Sequence, residues 1–295
     1  MHHSKDIALV LGSGGARGIT QIAAIEELTK AGFNITSIAG SSIGALIGAM
    51  YAGGQLSGYK EWLSKLNYWD VFRLMDFSIT SKGFIKGEKV FKKIDPFFPN
   101  GNIEDLPIPF VAVAADIINK KTVIFKEGNI RDAIRASISI PTVLKPFEKD
   151  GTYYLDGGIV DPLPVDLVKR NGNDLLVAVD LNALTQPIKV NISESQQSKL
   201  DELTNKFLNW RNSESSPKND LGVFDMLNEA FDLTQDMLTT RILERNKPDI
   251  HIKISRKECG VMDFHKTDQL LAVGKEATKR AIAKYEKSIV KTGKS

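Results

Sequence analysis

The chain has 295 residues, of which 42% are hydrophobic and 25% are charged, a composition typical of folded globular proteins and not of collagenous or disordered chains. Its formal net charge of +3 is far from the dense positive charge of a dedicated nucleic-acid binder, so nucleic acid is not expected as a partner. The single cysteine, Cys259, excludes an internal disulfide and a multi-cysteine metal site, and suits a reducing compartment.

The hydropathy of the chain bears on where the protein resides. Residues 1–11 lack the apolar run of a secretion signal, and no stretch reaches the roughly 20 apolar residues that a membrane-spanning helix needs. We therefore expect a cytoplasmic protein, and a peripheral contact with a membrane stays open.

The first part of the chain predicts alternating strands and helices. A continuous apolar run over 6–11 predicts a buried strand that enters the glycine-rich turn 12–18, and apolar residues at helical spacing follow. A second buried strand over 35–39 leads into the turn 40–44 and another apolar helix. This order predicts a βαβα unit with parallel strands.

The later strands and the domain organisation follow from the same patterns. Further strands are predicted at 110–114, 122–125, 153–155, 175–180 and 250–254. Their alternation with helical patterns predicts an α/β fold of three layers, α/β/α, around a largely parallel central sheet. We expect one domain over 1–295 with a polar helical insertion at about 191–245, in which 213–219 resembles an exposed linker. A helix over 224–242 is either a lid or a packed helix, and packing is favoured.

The strongest chemical signal is Gly40-Ser41-Ser42-Ile43-Gly44, which fits the G-x-S-x-G nucleophile elbow with Ser42 at its centre. Gly40 and Gly44 let the chain turn sharply from strand to helix, so that the Ser42 hydroxyl is presented near a helix N-terminus. The alternative is a tight turn without chemistry. The position between a buried strand and an apolar helix favours the nucleophile.

A serine nucleophile needs N–H donors for the oxyanion that develops during ester cleavage. Gly14, Gly15 and Ala16 supply such donors in a glycine-rich turn at the start of a helix. A dinucleotide-binding G-x-G-x-x-G is the rival interpretation, but Arg17 stands where its third glycine would fall, and the phosphate-binding G-x-x-x-x-G-K-[ST] is absent.

The base that would activate Ser42 is less obvious. His2 and His3 stand at the terminus, and His251 and His265 stand in a strand and a polar loop, where a structural or solvated histidine is favoured. A carboxylate offers another route. Asp156-Gly157-Gly158 ends a short apolar strand, although alone it is an ordinary turn sequence.

Taken together and in this order, the three motifs resemble those of the patatin-like phospholipase family. Residues 13–18 are similar to its oxyanion loop G-G-G-x-[RK]-G, 40–44 to its nucleophile elbow, and 156–158 to its D-G-[GA] element. Weaker similarities extend the resemblance to most of the chain, at 135–141, 146–147, 161–164, 249–254 and 263–265.

The resemblance implies a patatin-like fold and a lipid acyl hydrolase that needs neither a metal nor an organic cofactor. Ser42 would carry the acyl group, Asp156 would act as general base, and backbone N–H groups of Gly14, Gly15 and Ala16 would hold the oxyanion. Phospholipid or lysophospholipid is the implied substrate. Supporting positions are Ser13, Arg17, Gly18, Gly40, Gly44, Gly157 and Gly158. Arg17 either orients the glycine loop or forms a surface salt bridge.

The chain departs from the family pattern at a few positions. Ser13 replaces the first glycine of the oxyanion loop, Thr20-Gln21 stands where bacterial relatives often carry Ala-His, and Asp161 replaces a common asparagine. The alternatives that stay open are a neutral-glyceride lipase, an acyltransferase, and a catalytically silent lipid-binding regulatory protein. Ser13 slightly favours the last of these.

Two basic segments bear on membrane contact. Residues 60–93 hold eight Lys or Arg against four acidic residues, interleaved with aromatic residues. Such a segment suits either a membrane interface or a packed helical cap, and the cap is favoured. Residues 275–294 hold seven basic residues against two acids, which favours a solubilising terminal helix.

Overall fold

The structure is a computed structural model that describes residues 5–74, 88–141, 143–190 and 222–291. Within these residues the strands are β1 (Asp6–Leu11), β2 (Asn34–Ser41), β3 (Phe110–Asp116), β4 (Lys121–Phe125), β5 (Phe147–Lys149), β6 (Thr152–Asp156), β7 (Leu175–Ala183) and β8 (Ile250–Ser255). The α-helices are α1 (Ile19–Lys30), α2 (Ile43–Ala52), α3 (Leu56–Ser64), α4 (Tyr68–Leu74), α5 (Glu88–Ile94), α6 (Ile130–Ser137), α7 (Val223–Arg245) and α8 (Thr267–Lys291).

All eight strands belong to one sheet with the order β5-β6-β3-β2-β1-β7-β8, and β4 also pairs with β3. The five strands from β3 to β8 in this order are mutually parallel, whereas β4, β5 and β6 pair antiparallel with their neighbours. The predicted α/β fold with a largely parallel sheet is confirmed. The sequence did not predict β5, because its three residues are too few to show a period.

The sheet alternates its side chains between two hydrophobic cores. Ile7, Leu9 and Leu11 of β1 face the larger core, which is closed by α1, α2, α3, α6 and α8. Ala8 and Val10 face a smaller core, which the 163–168 segment and the end of α7 cover. The two cores therefore cover both faces of the parallel strands, as is usual for parallel sheets. Burial of each large aliphatic side chain in them stabilises the fold by about 1.5–3 kcal/mol.

β2 and β6 both pair with β3, and the point where they meet along β3 positions the candidate site. The first half of β3 pairs with β2, where Ser41 lies opposite Val113, and its second half pairs with β6, where Asp156 lies opposite Ala114. Since β4 occupies the other edge of β3, β2 and β6 share one edge and approach from opposite directions. The end of β2 therefore meets the end of β6.

Part of the predicted helical insertion lies outside the described residues. The predicted linker 213–219 falls there, as does the rest of 191–221, and the described remainder is mostly α7. The helices in the described ranges all lack the length and sustained hydrophobicity that a membrane-spanning helix requires.

Candidate active site

The turn between β2 and α2 holds Ser42 in a strained backbone conformation. Ser42 has φ 56° and ψ −125°, a region that non-glycine residues rarely adopt and that costs about 1–3 kcal/mol. Its N–H donates to Ser137 Oγ at 3.0 Å. A Cβ on Gly44 would lie 2.0 Å from the Leu11 carbonyl oxygen, so only glycine permits this close approach. The turn thus holds the Ser42 hydroxyl at its apex.

Ser42 and Asp156 are joined by a short hydrogen bond. Ser42 Oγ donates to Asp156 Oδ2 at 2.5 Å, and the Gly158 N–H donates to Asp156 Oδ1 at 2.8 Å. The Asp156 N–H donates to the Ser139 carbonyl at 2.9 Å. Ser137, the last residue of α6, and Ser139, two residues later, therefore support both members of the pair.

Burial sets the protonation of Asp156. The side chain is 0% exposed, and this burial raises the pKa of Asp156 to about 7, although the hydrogen bonds from Ser42 and Gly158 oppose the shift. A carboxyl group with a pKa near neutrality suits general-base chemistry, because it is about half ionised at neutral pH and is still basic enough to take a proton.

The glycine loop before α1 presents two N–H groups. Gly15 has φ +57°, and a Cβ there would lie 2.5 Å from Val261 Cγ1, so a larger residue does not fit. Among the described residues, the N–H groups of Gly14 and Gly15 have no hydrogen-bond acceptor. The Ala16 N–H, in contrast, donates to the Val261 carbonyl at 2.8 Å. Of the three N–H groups expected to hold an oxyanion, that of Ala16 is thus already engaged within the protein.

Arg17 and Gln21 brace the glycine loop from inside the protein. Arg17 is 4% exposed, and its guanidinium donates to the carbonyl oxygens of Gly14 at 3.1 Å and Arg256 at 3.0 Å. This geometry agrees with the loop-orienting alternative for Arg17 rather than with a surface salt bridge. Gln21 Nε2 donates to the Gly12 carbonyl at 2.8 Å.

Two residues of the loop's surroundings were not predicted from the sequence. Asn182, in β7, donates through Nδ2 to the Ser13 carbonyl and to Gln235 Oε1, both at 2.9 Å. Gln235, in α7, donates through Nε2 to Ser13 Oγ at 3.3 Å. All three side chains are buried, and the hydroxyl that Ser13 brings in place of a glycine takes part in this network. The signal that was available is the polar pair Asp180 and Asn182 in an otherwise apolar strand.

Two cavities meet at Ser42. One, of about 200 Å³, contains Ser42, Asp156 and the glycine loop, and α7 contributes Asn228, Phe231 and Gln235 to its wall. The other, of about 120 Å³, starts at Ser42 and Gly15 and is lined by apolar side chains, among them Leu46, Tyr59, Trp62, Leu63, Leu66 and Leu74. The hydroxyl therefore stands between a chamber of mixed polar and apolar lining and an apolar one.

The described histidines lie elsewhere. His251 Nε2 is 3.3 Å from Asp180 Oδ2, and the His265 ring packs edge-on against Tyr68. Neither residue lines the two cavities that meet at Ser42, and His2 and His3 lie outside the described residues. Asp156 is therefore the base candidate that the described residues offer.

Comparisons with known proteins agree with the motifs. The family model described as patatin-like phospholipase matches residues 9–169, a segment that includes the glycine loop, Ser42 and Asp156. An uncharacterized NTE family protein of Mycobacterium bovis is 31% identical over 96% of this chain and 93% of its own length.

Two named relatives match a shorter part of the chain. Lysophospholipase NTE1 of Phaeosphaeria nodorum is 34% identical over 62% of this chain and 12% of its own length. Neuropathy target esterase sws of Drosophila melanogaster is 32% identical over 61% of this chain and 13% of its own length. Among solved structures, VipD from Legionella pneumophila aligns with a TM-score of 0.56 at 14% identity, over 96% of this chain and 67% of its own. That similarity concerns the fold alone.

Proposed function

This chain belongs to the patatin-like phospholipase family, and we propose that it is a serine acyl hydrolase that cleaves carboxylic ester bonds of lysophospholipids or phospholipids. The observation that carries the proposal is the 2.5 Å hydrogen bond from Ser42 Oγ to Asp156 Oδ2 at the end of an apolar cavity. The names of two relatives, a lysophospholipase and an esterase, support ester hydrolysis.

Acylation begins with proton transfer within the pair. Asp156 Oδ2 accepts the proton of Ser42 as Oγ attacks the ester carbonyl carbon, and the carbonyl oxygen becomes an oxyanion. The N–H groups of Gly14 and Gly15 are the donors available to hold that oxyanion. When the intermediate collapses, the bond to the alcohol breaks and the alcohol leaves with the proton from Asp156. The product of this step is acyl-Ser42.

Deacylation repeats the same roles with water. Asp156, ionised again, takes a proton from a water molecule as its oxygen attacks the acyl carbon. The second tetrahedral intermediate collapses to a fatty acid, and Ser42 regains its proton from Asp156. One ester bond and one water molecule are consumed, and one acid and one alcohol are formed.

The two cavities suggest how a lipid ester would lie. The apolar cavity suits an acyl chain, because burying methylene groups against Leu46, Tyr59 and Leu63 removes them from water. The chamber of mixed lining, with the charged residues Arg17 and Asp232 in its wall, suits the alcohol part. The apolar cavity of about 120 Å³ that the described residues form at Ser42 suits a single chain, which favours lysophospholipid as the first substrate to test.

The proposal is tested by fatty-acid release from lysophosphatidylcholine, phosphatidylcholine and triacylglycerol, with labelling by a fluorophosphonate as a probe of the nucleophile. We expect labelling, and release from lysophosphatidylcholine at least as fast as from phosphatidylcholine and faster than from triacylglycerol. Preference for triacylglycerol would indicate a neutral lipase, and acyl transfer to added alcohols in place of hydrolysis would indicate an acyltransferase. Lipid binding without labelling or turnover would indicate a silent regulatory protein.

The buried amide of Gln235 yields a prediction about the glycine loop. Gln235→Leu keeps the size of the side chain but removes both hydrogen bonds to Asn182 and Ser13, so the loop's position relative to Ser42 loosens. We expect kcat to fall about tenfold, since misplaced oxyanion donors lose part of their stabilisation of the transition state. Thr240→Val, at an exposed position of the same helix, is the matched control and should keep wild-type kcat. Equal kcat for both variants would contradict the role assigned to Gln235.

A further inference from the structure

The apolar cavity at Ser42 opens toward a basic groove. Trp62, Leu66 and Leu74 line both the apolar cavity and an open groove of about 560 Å³ beside it. The other residues of the groove belong to α4 and α5 and are Asp70, Arg73, Lys89, Lys92 and Lys93. The apolar cavity at Ser42 therefore adjoins a positively charged surface.

Basic side chains dominate the charged lining that the described residues give this groove. They are Arg73, Lys89, Lys92 and Lys93, and the described lining has one carboxylate, Asp70, which accepts the Asn67 N–H at 3.1 Å at the start of α4. Such a surface attracts anionic lipid head groups, to which each nearby Lys or Arg adds affinity.

Exposed aromatic rings accompany the charges. Trp69 is 57% exposed and Phe72 is 40% exposed, and their rings contact each other edge-on at 6.0 Å between centroids. Tryptophan rings favour the boundary between head groups and acyl chains. Tyr59 and Trp62 of α3 stack at 5.7 Å between centroids, and Tyr59 is buried. The segment predicted to be a packed cap is thus divided, because these rings of α3 are packed whereas Trp69 and Phe72 of α4 are exposed.

We infer that the α4–α5 face, defined by Trp69, Phe72, Arg73, Lys92 and Lys93, is the surface by which this protein docks on an anionic lipid bilayer. Charge complementarity supports this docking, as does the continuity between the docking surface and the apolar cavity at Ser42. The acyl path rests on the proposed function, whereas the docking itself can be measured without turnover. The bilayer then supplies its lipid where the acyl chain enters the cavity.

The test uses Ser42→Ala protein, so that no lipid is consumed, and sedimentation with vesicles. Binding to phosphatidylcholine vesicles that contain phosphatidylglycerol should exceed binding to phosphatidylcholine alone and should weaken as salt rises. Combining Arg73→Gln, Lys92→Gln and Lys93→Gln should weaken it about a hundredfold, since each charge near an anionic surface contributes about fivefold. Trp69→Ala should weaken binding to both kinds of vesicle.

The matched control removes three charges elsewhere. Lys275, Lys284 and Lys287 are exposed on α8, and their combined replacement by glutamine changes the net charge equally. Vesicle binding should survive in this control. The inference is overturned if the control loses as much affinity as the α4–α5 variant, or if that variant binds vesicles normally. It is also overturned if the protein does not bind anionic vesicles, and an acidic protein then becomes the better occupant of this face.

A second measurement separates this inference from the proposed function. With Ser42 restored, hydrolysis of a short water-soluble ester should be equal in the wild type and the α4–α5 variant, because none of the three charges lines the apolar cavity. Absence of ester hydrolysis together with intact charge-dependent docking would refute the proposed function alone. Ester hydrolysis without charge-dependent docking would refute this inference alone.

Discussion

Replacing Ser42 by alanine is expected to lower kcat for lipid ester hydrolysis at least about a thousandfold, because the variant has no oxygen that can form the acyl-enzyme. Fluorophosphonate labelling should disappear with it. The fold should survive, since Ser42 is held in the turn mainly through its backbone, including the N–H bond to Ser137. Fatty-acid release and labelling measured on one preparation check both expectations.

The neighbouring Ser41 provides the matched control. Its side chain is also fully buried, but among the described residues its hydroxyl has no hydrogen-bond partner. Ser41→Ala should keep both labelling and turnover, and removing an unpaired buried hydroxyl should cost little stability. Turnover that persisted in Ser42→Ala and vanished in Ser41→Ala would reverse the assignment of the nucleophile.

Asp156→Asn is expected to lower kcat about a thousandfold, because an amide cannot accept the proton of Ser42 or of the deacylating water. The fold should be kept, since the asparagine carbonyl can still accept the Gly158 N–H bond. Steady-state rates on lysophospholipid, with circular dichroism of each variant, measure both outcomes. A variant with near-normal turnover would show that Asp156 is not the base.

Asp161→Asn is the matched control for Asp156→Asn. Burial also raises the pKa of Asp161 to about 7, and its Oδ1 has no hydrogen-bond partner among the described residues. The two variants therefore make the same chemical change at two carboxyl groups whose pKa is raised by burial. Asp161→Asn should retain turnover, since Asp161 does not line the chamber that contains Ser42.

The raised pKa of Asp156 also predicts the pH dependence of the rate. Asp156 must be ionised to act as a base, and its pKa of about 7 means that kcat/KM falls about tenfold for each pH unit below about 7. Asp161→Asn should keep this acid limb. If Asp161→Asn shifted or removed the acid limb of kcat/KM, the titrating group would be Asp161 and the assignment to Asp156 would be wrong.

Stability should change with pH in the opposite sense. The pKa of Asp156 is higher in the folded state than in the unfolded state, so ionisation of Asp156 destabilises the fold. The free energy of unfolding therefore falls as pH rises from about 4 to about 7. Asp156→Asn removes that cost. Between about pH 5.5 and about pH 8.5 the variant should gain about 2 kcal/mol in the free energy of unfolding relative to wild type, measured by urea denaturation.

Much of the fold and the central site residues could be predicted from the sequence. The apolar run 6–11, the turn 12–18 and the turn 40–44 each carry a local pattern, because glycines mark sharp turns and apolar periods mark buried strands. Those patterns predicted β1, β2 and the helices after them, and the structure places these elements where they were expected. The family resemblance joined Ser42 to Asp156 before any distance was known.

Local patterns did not reveal the partners that come from distant parts of the chain. Asn182 and Gln235 carry no motif, and they approach Ser13 only because β7 lies beside β1 and α7 crosses the glycine loop. The N–H of Ala16 looked equivalent to those of Gly14 and Gly15 until the carbonyl of Val261 was found to accept it. Hydrogen bonds between residues far apart in the chain produce no periodic pattern in the sequence, so local patterns cannot predict them.

The sequence by itself determined the chemical groups of this protein, namely a serine at a strand-to-helix turn, a glycine loop and an aspartate before two glycines. The tertiary structure alone decided how they meet. β2 and β6 approach head to head along one edge of β3, so Ser41 and Asp156 lie opposite successive residues, and Ser42 comes within 2.5 Å of a carboxylate 114 positions away. Strand order is fixed by burying both faces of the sheet together, and no short segment of sequence encodes that balance.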